Sequence, residues 1–173
     1  MAHNLVALLL FASQVTVQNI YSSDKWQERD HWQKAPEIMK EMGIKSGDAV
    51  ADIGSHQGYM TIKFSNRVGS SGKVYAVDVN HSHLSKLGGL LDSRNISNVE
   101  TIHSDYDDPK LPKESIDYAF IMDAYHEMDD HMDILKHVKN ALRPVGKLVV
   151  LEPIQNDRRA EPGANRKVSM RLT

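Results

Sequence analysis

The chain has 173 residues, 40% of them hydrophobic and 25% charged, the profile of one soluble globular domain with room for a real core. A formal net charge of -2 and a pI near 6.5, with no long Lys/Arg run, supply no basic field for nucleic acid and no polybasic patch for a membrane surface. Cysteine is absent, which excludes disulfides, thiolate nucleophiles and Cys-ligated zinc.

Residues 1–20 carry the apolar run LVALLLFA, Leu5 to Ala12, too short for a stable bilayer-spanning helix. It reads either as the apolar part of a signal peptide or as an N-terminal helix packed on the domain. No Lys or Arg precedes it, and Val15 and Val17 make a poor small-residue cleavage pair, so location stays open between cytoplasm and export. Residues 21–46 follow as a helical segment. In YSSDKWQERDHWQKAP, Ser23 or Asp24 is placed to cap one short helix and Pro36 to open the next. That second helix turns Ile38, Met39 and Met42 to one side before Gly43 stops it. Trp26 and Trp32 either fill a core or cover a ligand.

Over residues 47–173 the apolar pattern changes period. AVADI (49–53), KVYAVDV (73–79), VETIHSD (99–105), IDYAFIMDA (116–124) and KLVVLEP (147–153) are short β-rich runs, and TIKFSNRVG, HSHLSKLGGLLDSRN and DHMDILKHVKNALR between them fit helices. The alternation predicts an α/β fold, a doubly wound and mainly parallel sheet with helices on both faces. Ligands of such sheets bind at the carboxyl ends of the strands. Asp52, Asp78, Asp105 and Asp123 fall at four of those ends. Capping the next turn is the ordinary work of an aspartate there, but four in succession favour a site.

The turn after the first strand, Gly54-Ser55-His56-Gln57-Gly58, is not the G-x-G-x-x-G of a dinucleotide pyrophosphate site. A nicotinamide-dependent oxidoreductase is disfavoured accordingly. Asp52, just before the first glycine, suits a ligand with a positive amino group, and S-adenosylmethionine is such a ligand. Asp78 can accept both hydroxyls of a ribose. Asp105, with Tyr106 beside it, can accept from an adenine amino group while its neighbours pack on the ring.

ADIGSHQGY, VYAVDVN, SDYDDPKLP, IDYAFIMDAYHEM and LKHVKNALRPVGKLVVLEP together resemble the class I, Rossmann-like S-adenosylmethionine-dependent methyltransferases. The likeness is to the small-molecule branch around the ubiquinone/menaquinone C-methyltransferases and covers Tyr21 to about Pro153. It implies strand order 3-2-1-4-5 and S-adenosylmethionine as cofactor, with S-adenosylhomocysteine as product. Asp52, Gly54 and Gly58 would hold the methionine end, with Ser55, His56 and Tyr59 completing the loop. Asp78 and Val79 would meet the ribose, Asp105 and Tyr106 the adenine, and Asp123 the end of the fourth strand. LRPVG, Leu142 to Gly146, resembles a structural turn leading into the fifth strand.

His56 stands where many members have a third glycine, so its imidazole is expected near the methionine moiety. The resemblance also implies a further helix and an antiparallel strand pair after the fifth strand. Residues from Pro153 onward offer no such pair, which leaves an expected open edge on the fifth strand and self-association through it.

Methyl transfer asks mainly for alignment and exclusion of water, with a base only where the acceptor must lose a proton. His126 is then the candidate base and Tyr125 an orienting group; alternatively Asp123, Glu127, Asp129 and Asp130 simply favour a helix start and His126 is a surface residue. The segment DKWQERDHWQK resembles a cofactor cover, making Trp26, Arg29, Trp32 and Gln33 candidates for a lid or acceptor pocket. The expected partner is a small-molecule methyl acceptor, with no metal, nucleic acid or membrane span. A chain that binds the cofactor without turnover is the alternative.

Overall fold

A computed structural model describes residues 23–152. The expectations for residues 1–20, and for the edge and missing strand pair beyond the fifth strand, lie outside these residues. Ser23–Lys25 makes one 3-10 turn and leads into α1 (Trp26–Gln33) and α2 (Ala35–Met42). The N-cap of α1 is Lys25, not Ser23 or Asp24, and its side chain makes no capping hydrogen bond. The Ser23 N–H points instead to Gln57 Oε1, at 3.4 Å, because the 3-10 turn lies against the glycine loop. Pro36 sits in the first turn of α2, where its missing N–H costs nothing. Gly43, at φ 79°, ends that helix in the left-handed conformation.

The remaining elements alternate: β1 (Ala49–Ile53), α3 (Tyr59–Val68), β2 (Lys73–Asp78), α4 (His81–Ser93), β3 (Val99–His103), β4 (Ile116–Met122), α5 (His131–Ala141) and β5 (Leu142–Leu151). The strands form one sheet in the order β3-β2-β1-β4-β5, every pair parallel, as the alternation and the resemblance implied. All five residues of β1 are buried, which suits the middle of a sheet covered on both faces.

Strand alternation divides the core into layers. Val50, Val74, Phe120 and Val149 face Met60, Phe64 and Val68 of α3 and Ile38 and Met42 of α2. Leu87 and Leu91 of α4 extend this side over Ala76. Ala51, Ile53, Val77, Ala119 and Ile121 face Ile134, Val138 and Ala141 of α5 on the other. The chain steps outward from β1 through α3 and α4, then back across to β4 and outward through α5. Right-handed crossovers place helices on opposite faces for the two directions of travel.

The LRPVG segment departs from the expected turn. Leu142 already pairs with Ile116, yet the next match is Lys147 with Tyr118, so the residues between bulge out of the ladder. Pro144 has no N–H to donate, and Val145 stands 88% exposed.

Asn98 fixes the far end of α3. Its Nδ2 donates to the carbonyls of Ser65 and Gly69, at 3.0 and 2.8 Å, and its Oδ1 accepts from the Ser65 hydroxyl at 2.6 Å. Ser65 O already accepts the Gly69 N–H at 3.0 Å, so Asn98 adds a second bond there and supplies one to the carbonyl of Gly69, the C-cap residue. We expect Asn98→Ala to cost about 2 kcal/mol. The effect should appear in urea as a lower midpoint at unchanged slope; an unshifted midpoint would mean water replaces the clamp fully.

Candidate functional site

The strand registers bring the acidic residues to one level. Ile53 pairs with Val77 and Ile121, so Asp52 lies just inside the carboxyl end of β1, with Asp78 and Asp123 just past that level. Together with Asp105 they line one cavity of about 800 Å³, a size suited to a small ligand. Gly54, Ser55, His56, Tyr59, Val79 and Tyr106 line it too, and α1 contributes Arg29.

The glycines answer first to the protein's own packing. Gly54 and Gly58 have φ of 75° and 90°; a Cβ on Gly54 would lie 2.7 Å from Cβ of Ala124, and one on Gly58 2.4 Å from Cδ1 of Leu87. Gly58 is buried at the start of α3 and is not on the cavity wall. The loop stays zipped to β2, since the N–H groups of Gly54 and Ser55 both donate to Val77 O, at 2.9 and 3.0 Å.

His56 adopts φ 50°, the left-handed region that a glycine would hold without strain. His56 lines the cavity. It stacks on His83 of α4, ring centroids 3.7 Å apart, beside Asp78. Burial, and secondarily His83, pushes its pKa down to about 4, so the ring is neutral near pH 7. The positive φ throws the side chain toward α4.

Asp78 is held by backbone. His56 N–H donates to one oxygen at 2.7 Å and Asn80 N–H to the other at 2.8 Å. A carboxylate accepts about four hydrogen bonds, so both oxygens keep capacity for ligand hydroxyls. Asp52 is only 3% exposed and accepts from the Thr61 hydroxyl at 2.6 Å. Burial pushes its pKa up to about 6, against the opposing pull of Thr61 and Arg29. Asp105 pairs with Lys110 at 2.8 Å, and Tyr106 beside it is 78% exposed.

The lid candidates separate. Arg29, 3% exposed, reaches the cavity, while Trp26, Trp32 and Gln33 do not line it. Trp26 packs edge-on to Tyr59 at 5.9 Å, as core filling. Gln33 is buried behind Arg29 and accepts from its Nε at 3.5 Å. Trp32 lies 5.9 Å from the Arg29 guanidinium. Asp30 ties α1 down, accepting from the Tyr59 hydroxyl at 2.7 Å and pairing with Lys63 at 2.6 Å.

The structure does not bring His126 or Tyr125 to the cavity. Glu152, at the end of β5, takes the His126 Nδ1 at 2.6 Å, and its other oxygen accepts from the N–H groups of Ala124 and Tyr125, at 3.1 and 2.8 Å. Tyr125 turns edge-on to His131. In their place Glu127, Met128, Asp129 and Asp130 reach the wall, together with His83, Met122 and Ile134. The acidic helix start was visible in the sequence, but which of its side chains face the cavity depends on Glu152, whose contacts no spacing rule discloses. Among the described residues no group of three His, Asp or Glu is arranged to hold a metal.

A parallel sheet in this order, with a glycine turn after the first strand and carboxyls gathered at the strand ends, has the fold of the class I, Rossmann-like S-adenosylmethionine-dependent methyltransferases. Within that class, the model of the ubiE/COQ5 methyltransferase family matches residues 18–160, and the chain belongs to this family. A demethylmenaquinone methyltransferase of Geobacillus sp. (strain WCH70) is 29% identical over 127 residues, 73% of this chain and 54% of the relative. The ubiquinone/menaquinone biosynthesis C-methyltransferase UbiE of Hahella chejuensis (strain KCTC 2396) is 36% identical over 112 residues, 64% of this chain and 45% of the relative. The chain spans about half the length of the curated relatives it matches. A solved S-adenosylmethionine-dependent methyltransferase from Aquifex aeolicus superposes with a TM-score of 0.71 at 26% identity, over 80% of this chain and 77% of that one.

The raised pKa of Asp52 makes a stability prediction. Between about pH 4 and pH 6 the unfolded chain has released a proton that the folded chain retains, so this group's contribution to stability falls as pH rises through that window. Above pH 6 the penalty is complete. Asp52→Asn should therefore be more stable than the parent at pH 8, by up to about 3 kcal/mol, with the gain vanishing near pH 4. Thermal unfolding at the two pH values checks this; an equal change at both would assign the effect to packing.

Proposed function

We propose that this chain binds S-adenosylmethionine and transfers its methyl group to a small-molecule acceptor, with a quinone precursor as the acceptor class that its relatives' names suggest. The observation that carries the proposal is the convergence of Asp52, Asp78, Asp105 and Asp123 on one cavity, with Asp78 fixed by two backbone N–H groups. The residues present fit such a ligand. The Ser55 hydroxyl is buried on the cavity wall with no hydrogen-bond partner in the protein, a donor in need of an acceptor. Asp52 is a buried carboxyl that a neighbouring cation would stabilise in its charged form.

When bound, the cofactor supplies a methyl group already activated by its sulfonium. Asp78 would hold the ribose hydroxyls, Asp52 the amino group, and Asp105 with Tyr106 the adenine. Met122, Met128 and Ile134 give the wall an apolar stretch against which an acceptor ring can pack and from which water is displaced. Alignment of donor and acceptor is then the main catalytic contribution. His126 stays outside the proposal as a base, because Glu152 holds its ring away from the cavity.

Calorimetry with S-adenosylhomocysteine and, separately, NAD tests the cofactor class, and radiolabelled methyl transfer to a demethylmenaquinol analogue tests the acceptor. Asp78→Ala should weaken S-adenosylhomocysteine binding by about 1.5 to 3 kcal/mol, the range for a charged hydrogen-bonding group. Unchanged affinity in a folded variant would remove the ribose assignment, and binding without turnover would favour a carrier or regulatory role.

A further inference from the structure

Two imidazoles meet on the cavity wall beside Asp78. His56, in the loop after β1, and His83, in the first turn of α4, stack with ring centroids 3.7 Å apart and planes 40° from parallel. His83 Nδ1 is shielded from water and makes no hydrogen bond within the protein, yet it lies 3.4 Å from Asp78 Oδ1. A polar atom buried without a partner costs stability, and a proton shared toward the neighbouring carboxylate is the smallest group that completes it.

Two imidazoles at this separation do not both carry charge, because like charges in contact repel. His56 is the ring that stays neutral: burial, and then His83, push its pKa down to about 4. A proton taken up by the pair above that pH therefore sits on His83, next to Asp78. Asp78 favours a proton on the pair, Arg29 of α1 and Lys86 of α4 oppose it, and Asp52 of β1 adds to the charge at Asp78 when ionised. From the β3 side, His103 turns its Nε2 to the Val79 carbonyl at 3.0 Å and its ring to His81, while Asp105 is paired with Lys110.

Each oxygen of Asp78 already accepts one backbone N–H, from Asn80 at Oδ1 and from His56 at Oδ2. The capacity left at Oδ1 goes either to a ligand hydroxyl or to a protonated His83. An imidazolium there also cancels the negative charge that strengthens a hydrogen bond from a hydroxyl. Proton and ligand thus compete for one oxygen.

Resting on the cofactor reading above, we propose that His83 is a proton-operated gate on the nucleoside end of the cavity. Protonated, it pairs with Asp78 and takes the place of a ribose hydroxyl; neutral, it leaves Asp78 open. His56 is a positioning residue whose stacked ring holds His83 against the carboxylate. Acidification then empties the site, and by reciprocity a bound nucleoside expels the proton.

Asp52 also titrates near pH 6 and is assigned to the amino-acid end, so the probe is 5′-methylthioadenosine, which carries the nucleoside and lacks that end. Calorimetry on the full chain should show its affinity falling about tenfold between about pH 7.5 and pH 5.5, the effect of one proton competing across roughly one pH unit. Binding near pH 6 should release a proton, read as an enthalpy that depends on the buffer. His83→Phe keeps a stacked ring and removes the titrating nitrogen; it should match the parent at the higher pH and lose less than about twofold at the lower one. His83→Asn takes its place should that variant fail to fold by circular dichroism. An affinity independent of pH in the parent, or a fall that survives in the folded variant, overturns the gate. A parent that binds S-adenosylhomocysteine and not 5′-methylthioadenosine overturns it as well. A parent that binds neither overturns the cofactor reading itself, a distinguishable result.

Discussion

The hydrogen bond from the His56 N–H to Asp78 joins the two turns from which the site is built. On one side lies the loop between β1 and α3, on the other the turn from β2 into α4. The second oxygen of Asp78 takes the Asn80 N–H, and the Asn80 side chain in turn caps α4 by accepting from Ser82 N–H at 2.9 Å. One carboxylate thus sets the separation of two crossovers and the start of a helix. The close approach of Gly58 to Leu87 follows from it, because α4 is drawn against the loop. A side chain at Gly58 would force the two turns apart and widen the cavity between them.

The cavity concentrates features that a fold selected for stability alone would avoid. His56 and Asp123 both hold left-handed backbone, and Asp52 and Arg29 are charged groups taken almost wholly out of water. Strained residues of this kind cost about 1 to 3 kcal/mol each and gather where a ligand is bound. Burial of Asp52 opposes its ionisation, and Arg29 with Asp123 only partly relieves the desolvation of a guanidinium. Elsewhere the protein is locally consistent: β1 is apolar throughout, α2 ends on glycine, and Asn98 closes α3.

The sheet was legible because burial on both faces writes continuous apolar runs, and AVADI coincides with β1 residue for residue. Strand order came from resemblance, since periodicity alone does not rank strands within a sheet. Asp78 and Asp123 were legible for the same reason as the strands, since each follows directly on buried apolar residues; Asp52 lies within the AVADI run and Asp105 two residues beyond the more exposed β3. Four features were not legible. The bulge at Arg143 to Gly146 is a matter of register with β4, which a turn motif does not encode. The stack of His56 on His83 is set by backbone φ and by a partner 27 positions downstream, which the loop motif does not encode. His126 was drawn away by Glu152, a residue 26 positions downstream that reads in sequence as the end of a strand. Arg29 stood among the lid candidates, but its burial beside Asp123 depends on how α1 lies across the sheet ends.

The Asp30–Lys63 pair that helps tie α1 to α3 differs in kind from the sheet core beneath it. Asp30 and Lys63 are partly exposed, with side chains 49% and 24% accessible, whereas the sheet is held by buried apolar contact. Exposed ion pairs are screened by salt, and apolar packing is not weakened in that way. Ionic strength therefore acts on the two layers separately: it loosens the strap over the cavity while the strand ends beneath keep their places. Under the proposed function, the residence time of a bound cofactor then depends on the surrounding electrolyte as well as on the contacts made inside.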